Sequence, residues 1–206
     1  MRRPMLILAL LALAAGTISP LAAQRRERDR GIVELAPEAA RGGFYFGAGL
    51  GAGRESYKYS DGLDYSDGLT KPTISLRFGG TPNPTTRIGG EIFAWGSEVP
   101  EGTESFAAFL ISAQIYPMRD AGLYVKGGGG MARSGIDYNN GSSTYETGFA
   151  WNVGAGYDIA LSRAVGLGPM VDFYQGSFTR RNEPTLTERV MNIGVQVTFQ
   201  TGGRGR

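Results

Sequence analysis

Asn192-Ile193-Gly194-Val195-Gln196-Val197-Thr198-Phe199, with Met191 before it, alternates strictly with a period of two. Successive side chains of a β-strand leave on opposite faces, so Met191, Ile193, Val195, Val197 and Phe199 share one apolar face and Asn192, Gly194, Gln196 and Thr198 the other. The stretch also carries an ordered end pattern: polar Asn192, then Gly194 two residues on, Val197 five on and aromatic Phe199 seven on.

The same period recurs upstream. Phe44, Phe46, Ala48, Leu50 and Ala52 alternate with Tyr45 and the glycines 47, 49, 51 and 53. Further strands are expected near residues 73–78, 87–95, 105–116, 123–133, 148–159 and 166–174, which with the closing segment makes eight. In the third, Phe93 and Trp95 fall on the side of Glu91, so its register is the least fixed of the set. Pro169 places a strand end or bulge in the seventh. Long polar connections, near residues 54–71, 96–104, 134–147 and 176–188, alternate with short ones centred on Asn83, Arg119 and Arg163.

Period-two alternation fits a soluble barrel or sandwich as well as a membrane barrel, and the contents of the two faces separate them. A soluble barrel turns its apolar face inward and needs a charged outer face. Here the second face is mostly Gly, Ala, Ser and Asn with isolated charges, which suits a narrow, crowded lumen. Long loops at one end and tight turns at the other is the layout of outer-membrane barrels. Aromatics gather toward strand ends and are expected to form two outward girdles: Phe44, Phe78, Tyr116, Tyr157 and Phe199 on the turn side, Phe106, Phe149, Trp151, Phe173 and Phe178 on the loop side.

The front of the chain supports that address. Arg2 and Arg3 precede an apolar run over residues 5–15, and Ala22 and Ala23 offer small residues before Gln24, the layout of a cleaved signal peptide at residues 1–23. The run is shorter than the ~20 residues of a membrane helix. Removing it takes two of the 21 basic residues and none of the 19 acidic ones, so 19 minus 19 leaves a neutral mature chain. That gives no electrostatic case for nucleic-acid binding. Cysteine and histidine are both absent, which excludes disulfides and thiolate sites and removes the commonest general base. Residues 24–43 are expected to be a periplasmic tail, opening with Arg25, Arg26, Arg28 and Arg30.

Tyr124-Val-Lys-Gly-Gly-Gly-Gly-Met131, Trp151-Asn-Val-Gly-Ala-Gly-Tyr-Asp158 and the closing strand together resemble the small outer-membrane β-barrels of the OmpA-like, OmpX-like and opacity-type family. The likeness covers residues 44–199. The end pattern Asn192, Gly194, Val197 and Phe199 resembles the signal by which the outer-membrane assembly machinery recognises a last strand. The resemblance implies an all-β, eight-stranded antiparallel up-and-down transmembrane barrel with no cofactor, in the outer membrane of a diderm bacterium, both mature termini being periplasmic. It also implies outer-membrane lipid and lipopolysaccharide, the assembly machinery and periplasmic chaperones as partners. A peptidoglycan-binding domain is not expected, since only residues 200–206 follow Phe199.

Candidate functional residues fall in two groups. Arg77, Glu91, Lys126, Asp158 and Asp172 lie on the inferred lumen face, where an eight-stranded barrel has little room and charges should pair across the axis. A gated path for small or hydrophobic solutes is the alternative use of the same residues. In the first long loop Tyr59-Ser-Asp-Gly-Leu63 recurs as Tyr65-Ser-Asp-Gly-Leu69. Asp61, Asp64 and Asp67 could offer oxygens to calcium, but their spacing does not match an EF-hand, and Asp-Gly is first a turn former. Tyr57, Tyr59 and Tyr65 could make an adhesive surface. No metal site, cofactor or catalytic residue is assigned. A non-enzymatic barrel acting through four loops is the leading expectation, a narrow conduit the second and a soluble periplasmic barrel the third.

Overall fold

The computed structural model describes residues 41–62, 64–119, 121–179 and 183–201. The expected signal peptide, nearly all of the N-terminal tail, and Leu63 of the first repeat lie outside them. The strands are β1 (Gly43–Tyr59), β2 (Leu69–Asn83), β3 (Thr86–Val99), β4 (Gly102–Ile115), β5 (Leu123–Tyr138), β6 (Ser143–Tyr157), β7 (Ile159–Ala160), β8 (Val165–Phe178) and β9 (Leu186–Gln200). Each neighbouring pair is antiparallel, and β9 returns to pair with β1 from Tyr45↔Gln200 to Tyr59↔Leu186. The two-residue β7 continues β6 past Asp158, and both pair with β8, so the nine segments form eight wall positions of a closed barrel. Closure leaves no unpaired edge, which is what a sheet in hydrocarbon requires.

The pleat sorts side chains inside out. Ile111 on β4 is 74% exposed while its neighbours Leu110 and Ser112 are 4% and 3%. Leu50, Met131, Phe149, Ile193 and Val195 are exposed in the same band. Such a continuous apolar belt would be an association hazard in water and is the lipid-facing surface of a membrane barrel. On the loop side the belt ends at outward Ala52, Met131 and Met191, and the next outward residues are Arg54, Arg133 and Arg189.

Tight turns close one end. Thr85 N and Oγ1 both donate to Asn83 Oδ1 between β2 and β3, and Ala164 N and Val165 N donate to Ser162 Oγ before β8. At the other end the strands run on well past the belt, so the connections are shorter than the polar composition suggests. Residues 100–101 alone join β3 to β4, and residues 139–142 join β5 to β6 with Gly141 at φ +87°. Gly141 takes the left-handed turn conformation that other residues rarely adopt. Two of the four expected long loops are therefore hairpin tips on a wall that extends beyond the lipid. Segments such as Thr103-Glu104-Ser105 are polar on both faces because they stand in water, which hides them from an alternation count.

Candidate functional site

The lumen is filled by layers of side chains. Its centre is a quartet from four strands: Arg77 on β2, Glu91 on β3, Lys126 on β5 and Asp172 on β8, all nearly or fully buried. Lys126 Nζ donates to Glu91 and lies 3.1 Å from Asp172 Oδ1. Arg77 Nη2 reaches Asp172 Oδ2 at 3.1 Å, and Arg77 Nε lies 3.6 Å from Glu91 Oε1. The hydroxyl of Tyr174 donates to Glu91 Oε1 at 2.5 Å. Two cations and two anions thus alternate around a closed, neutral cluster. Register explains the meeting, because Arg77 pairs across strands with Glu91, and Lys126 with Gly154, which in turn pairs with Asp172. Gly154 is needed there: a Cβ at that position would lie 2.1 Å from Asp172 Oδ1 and 3.0 Å from Lys126 Cε.

Asp158, expected in the same network, sits in a second one nearer the turns. It pairs with Arg87 at 2.8 Å and accepts from Tyr116 Oη at 2.7 Å and from Gln196 Nε2 at 2.9 Å. Gln196 also accepts from Arg77 Nη1, which links the two layers. Arg87 further donates to Gln200 Oε1 at 2.9 Å. Arg41 covers this end, its guanidinium 3.9 Å from the Tyr116 ring centroid and donating to the carbonyls of Arg119 and Ala121. Arg87 is absent from the expected set, although it lies four residues before Glu91 on one strand face and so shares that face. Arg41 has no such signal, since it precedes the first strand.

Above the quartet lies an apolar layer. Phe93 stacks on Tyr174 with centroids 3.8 Å apart, Phe106 meets Phe93 and Phe178 edge-on, and Trp95 Nε1 donates to Gly53 O at 3.0 Å. This corrects the expected girdles: Phe106, Phe178 and Tyr116 point into the lumen, each about 1% exposed. Each shares its strand face with other buried residues, and inward Gly176 leaves room for two of the rings, since a Cβ there would lie 2.9 Å from both Phe106 and Phe178. Phe44, Phe78, Tyr157 and Phe199 on the turn side face outward, as do Phe149, Trp151 and Phe173 on the loop side.

Beyond the apolar layer the barrel opens into a cup of about 360 Å³ whose wall carries Glu55, Glu104, Glu146 and Glu188. Burial, then the neighbouring Glu104, push Glu55 up to about 7. Glu188 is likewise raised to about 7 by burial, against a bond from Ser134, with Glu55 among its like-charged neighbours. Of the loop candidates, Tyr59 lines this cup and meets Tyr57 edge-on at 6.1 Å. Tyr65 instead lies under the Arg189 guanidinium at 3.5 Å. Asp61, Asp64 and Asp67 are exposed, and among the described residues no three acidic side chains are grouped to hold a metal. On the closing strand, Asn192 faces the lumen and accepts from Thr73 Oγ1 at 2.6 Å, Gly194 is inward, and Val197 and Phe199 are outward.

Comparison with known proteins agrees on the architecture. No curated protein matches the chain. Among solved structures, Neisserial surface protein A is 16% identical with a TM-score of 0.53, covering 75% of this chain and 96% of its own. OprG from Pseudomonas aeruginosa is 14% identical with a TM-score of 0.40 over 81% of this chain and 100% of its own. Ail, the attachment invasion locus protein of Yersinia pestis, is 12% identical with a TM-score of 0.41 over 76% of this chain and 99% of its own. The likeness to Neisserial surface protein A concerns the fold alone. A family model described as outer membrane protein beta-barrel domain matches residues 8–199, and with a closed barrel, an apolar belt and a packed lumen behind that match, the chain belongs to this outer-membrane family.

Proposed function

We propose that this outer-membrane barrel is a non-enzymatic, plugged scaffold whose loop-side surface does the work, in envelope structure or surface interaction. The observation that carries the reading is the filled lumen. The Arg41–Arg87–Asp158 layer, the central quartet and the Phe93–Tyr174–Phe106–Phe178 layer lie one above another in a barrel whose interior side chains just fill. A narrow solute conduit would have to displace all three, including ion pairs whose breakage is costly. The lack of histidine and cysteine in the sequence favours a non-enzymatic role.

In this reading both mature termini are periplasmic and the hairpin tips face outward. Arg54, Arg133 and Arg189 meet lipopolysaccharide phosphates at the belt's outer rim, and Tyr59, Tyr65 and the aspartates 61, 64 and 67 belong to the exposed surface. Asn192, Gly194, Val197 and Phe199 serve as the signal read by the assembly machinery after periplasmic chaperones deliver the chain. Planar-bilayer recording tests the plug. The expected result is an absence of steady unitary current from the wild type; steady currents that change with Lys126→Gln would replace the plug by a gated path.

A further inference from the structure

The loop-side cup differs from every layer beneath it in how its carboxylates are treated. Glu91, Asp158 and Asp172 each meet a cation. Glu55 is only 9% exposed and projects into the cup, yet among the described residues it meets neither a cation nor a hydrogen-bond donor, and its charged neighbour is Glu104. Glu188 has the Ser134 hydroxyl as its donor, at 2.5 Å, and its charged neighbours are Glu55, Glu146 and Glu104. No Lys or Arg lines the cup among the described residues. Its remaining walls include the aromatic residues Tyr57, Tyr59 and Trp95.

A buried carboxylate without a partner is unfavourable, and a chain that pairs its other three has the means to pair these. Carboxylates set among aromatic faces attract a cation that is weakly hydrated and has an apolar body, because ring quadrupoles add to the charge attraction. A bare metal ion is less suited, since no three acidic groups among the described residues are arranged to ligate one. We propose that the cup binds an organic cation, an ammonium or guanidinium group carried on an apolar or aromatic body, with Glu55 and Glu188 as its charge partners and Trp95, Tyr57 and Tyr59 as its walls. Burial first, and like charge after it, hold both glutamates near 7, and a bound cation would draw their protons off. The titratable groups facing them are Glu104, Glu146, Tyr57, Tyr59 and Tyr138.

This goes beyond the scaffold reading and depends only on the cup, not on which side of the membrane it faces, so loss of either leaves the other standing. The test uses the full mature chain in nonionic detergent. Trp151→Phe leaves Trp95, in the cup wall, as the sole tryptophan reporter. Titration with p-xylylenediamine at pH 8 is expected to give a saturable change in Trp95 fluorescence, with half-saturation raised at least ten-fold by Glu55→Gln/Glu188→Gln and at pH 5.5. The neutral isostere 1,4-benzenedimethanol should give no saturable change. The proposal is overturned if the diamine does not saturate, if the diol works equally well, if calcium binds more tightly through the same glutamates, or if affinity is the same at pH 5.5 and pH 8. The pH comparison needs no cup variant, so it decides the matter even where the double variant fails to fold.

Discussion

Replacing Lys126 with Met should be among the most damaging single changes in the barrel wall. The Lys126 and Asp172 side chains are fully buried, with Nζ and Oδ1 3.1 Å apart, and Glu91, equally buried, accepts from the same ammonium. At an effective dielectric near 20, one such contact is worth about 5 kcal/mol before desolvation is subtracted. Removing the Lys126 ammonium leaves Arg77 alone to serve both Glu91 and Asp172, so one buried negative charge is uncompensated, and breaking a buried pair in this way costs about 3–5 kcal/mol. Lys126→Met with Glu91→Gln removes one charge of each sign and keeps the 3.1 Å Arg77–Asp172 pair, so the cluster stays neutral. The double variant should therefore be more stable than Lys126→Met alone, with a coupling of about 2–3 kcal/mol. Urea unfolding from phosphatidylcholine vesicles, followed by tryptophan fluorescence and by the folded band on unboiled gels, measures all four corners of the cycle. If Lys126→Met lies within about 1 kcal/mol of wild type, or the two substitutions simply add, the quartet is not the neutral network described.

Three further outcomes follow from the same layers. Val195→Arg, on the lipid face, should cost about 2–4 kcal/mol of folding free energy in bilayers; Gln196→Arg should also be damaging, because Gln196 is 3% exposed and bridges Arg77 to Asp158, but pairing it with Arg77→Gln should restore folding yield, which no lumen change does for Val195→Arg. Gly154→Ala should destabilise by about 1–3 kcal/mol through overpacking, read by the same urea titration; Gly127→Ala, on the outer face where an added Cβ meets its first atom at 3.6 Å, should be near neutral. The mouth should loosen as pH rises: carboxyls held near 7 in the fold, against about 4.5 unfolded, add stability fully below the lower value and lose it as pH climbs through 7. Hydrogen exchange at Tyr57 and Glu188, corrected for its intrinsic pH dependence, should accelerate between pH 5.5 and 8.5, and Glu55→Gln/Glu188→Gln should flatten that rise.

The lipid-facing half of each strand was legible because hydrocarbon tolerates only apolar side chains, so Ile111 and Val195 mark their face without ambiguity. The lumen half was less so, since it accepts charge, amide and aromatic ring alike. Phe93 and Trp95 beside Glu91 look like a register conflict in sequence and are one continuous inner face in space. Phe106 and Phe178 at strand ends imitate girdle residues because position along a strand says nothing about direction. Above the belt both faces meet water, the period-two signal disappears, and β3 to β6 extend farther than alternation can follow. The cup was invisible for the same reason: Glu55, Glu104 and Glu188 come from strand ends far apart in sequence whose meeting is set by barrel closure between β1 and β9.

The stiff hairpins above the lipid make this barrel a mount as well as a membrane anchor. On β4 the wall runs from the belt's last apolar residue, Ala107, to Gly102 before the turn at residues 100–101. Five residues of strand at a tilt near 40° lift that tip about 13 Å clear of the hydrocarbon. An epitope or receptor module grafted between Pro100 and Glu101 would stand at a set height and heading, where the same graft on a floppy loop would sweep a volume. In the proposed orientation a partner facing this cell would meet a raised platform, so recognition can be a matter of spacing between tips as much as of the residues on them.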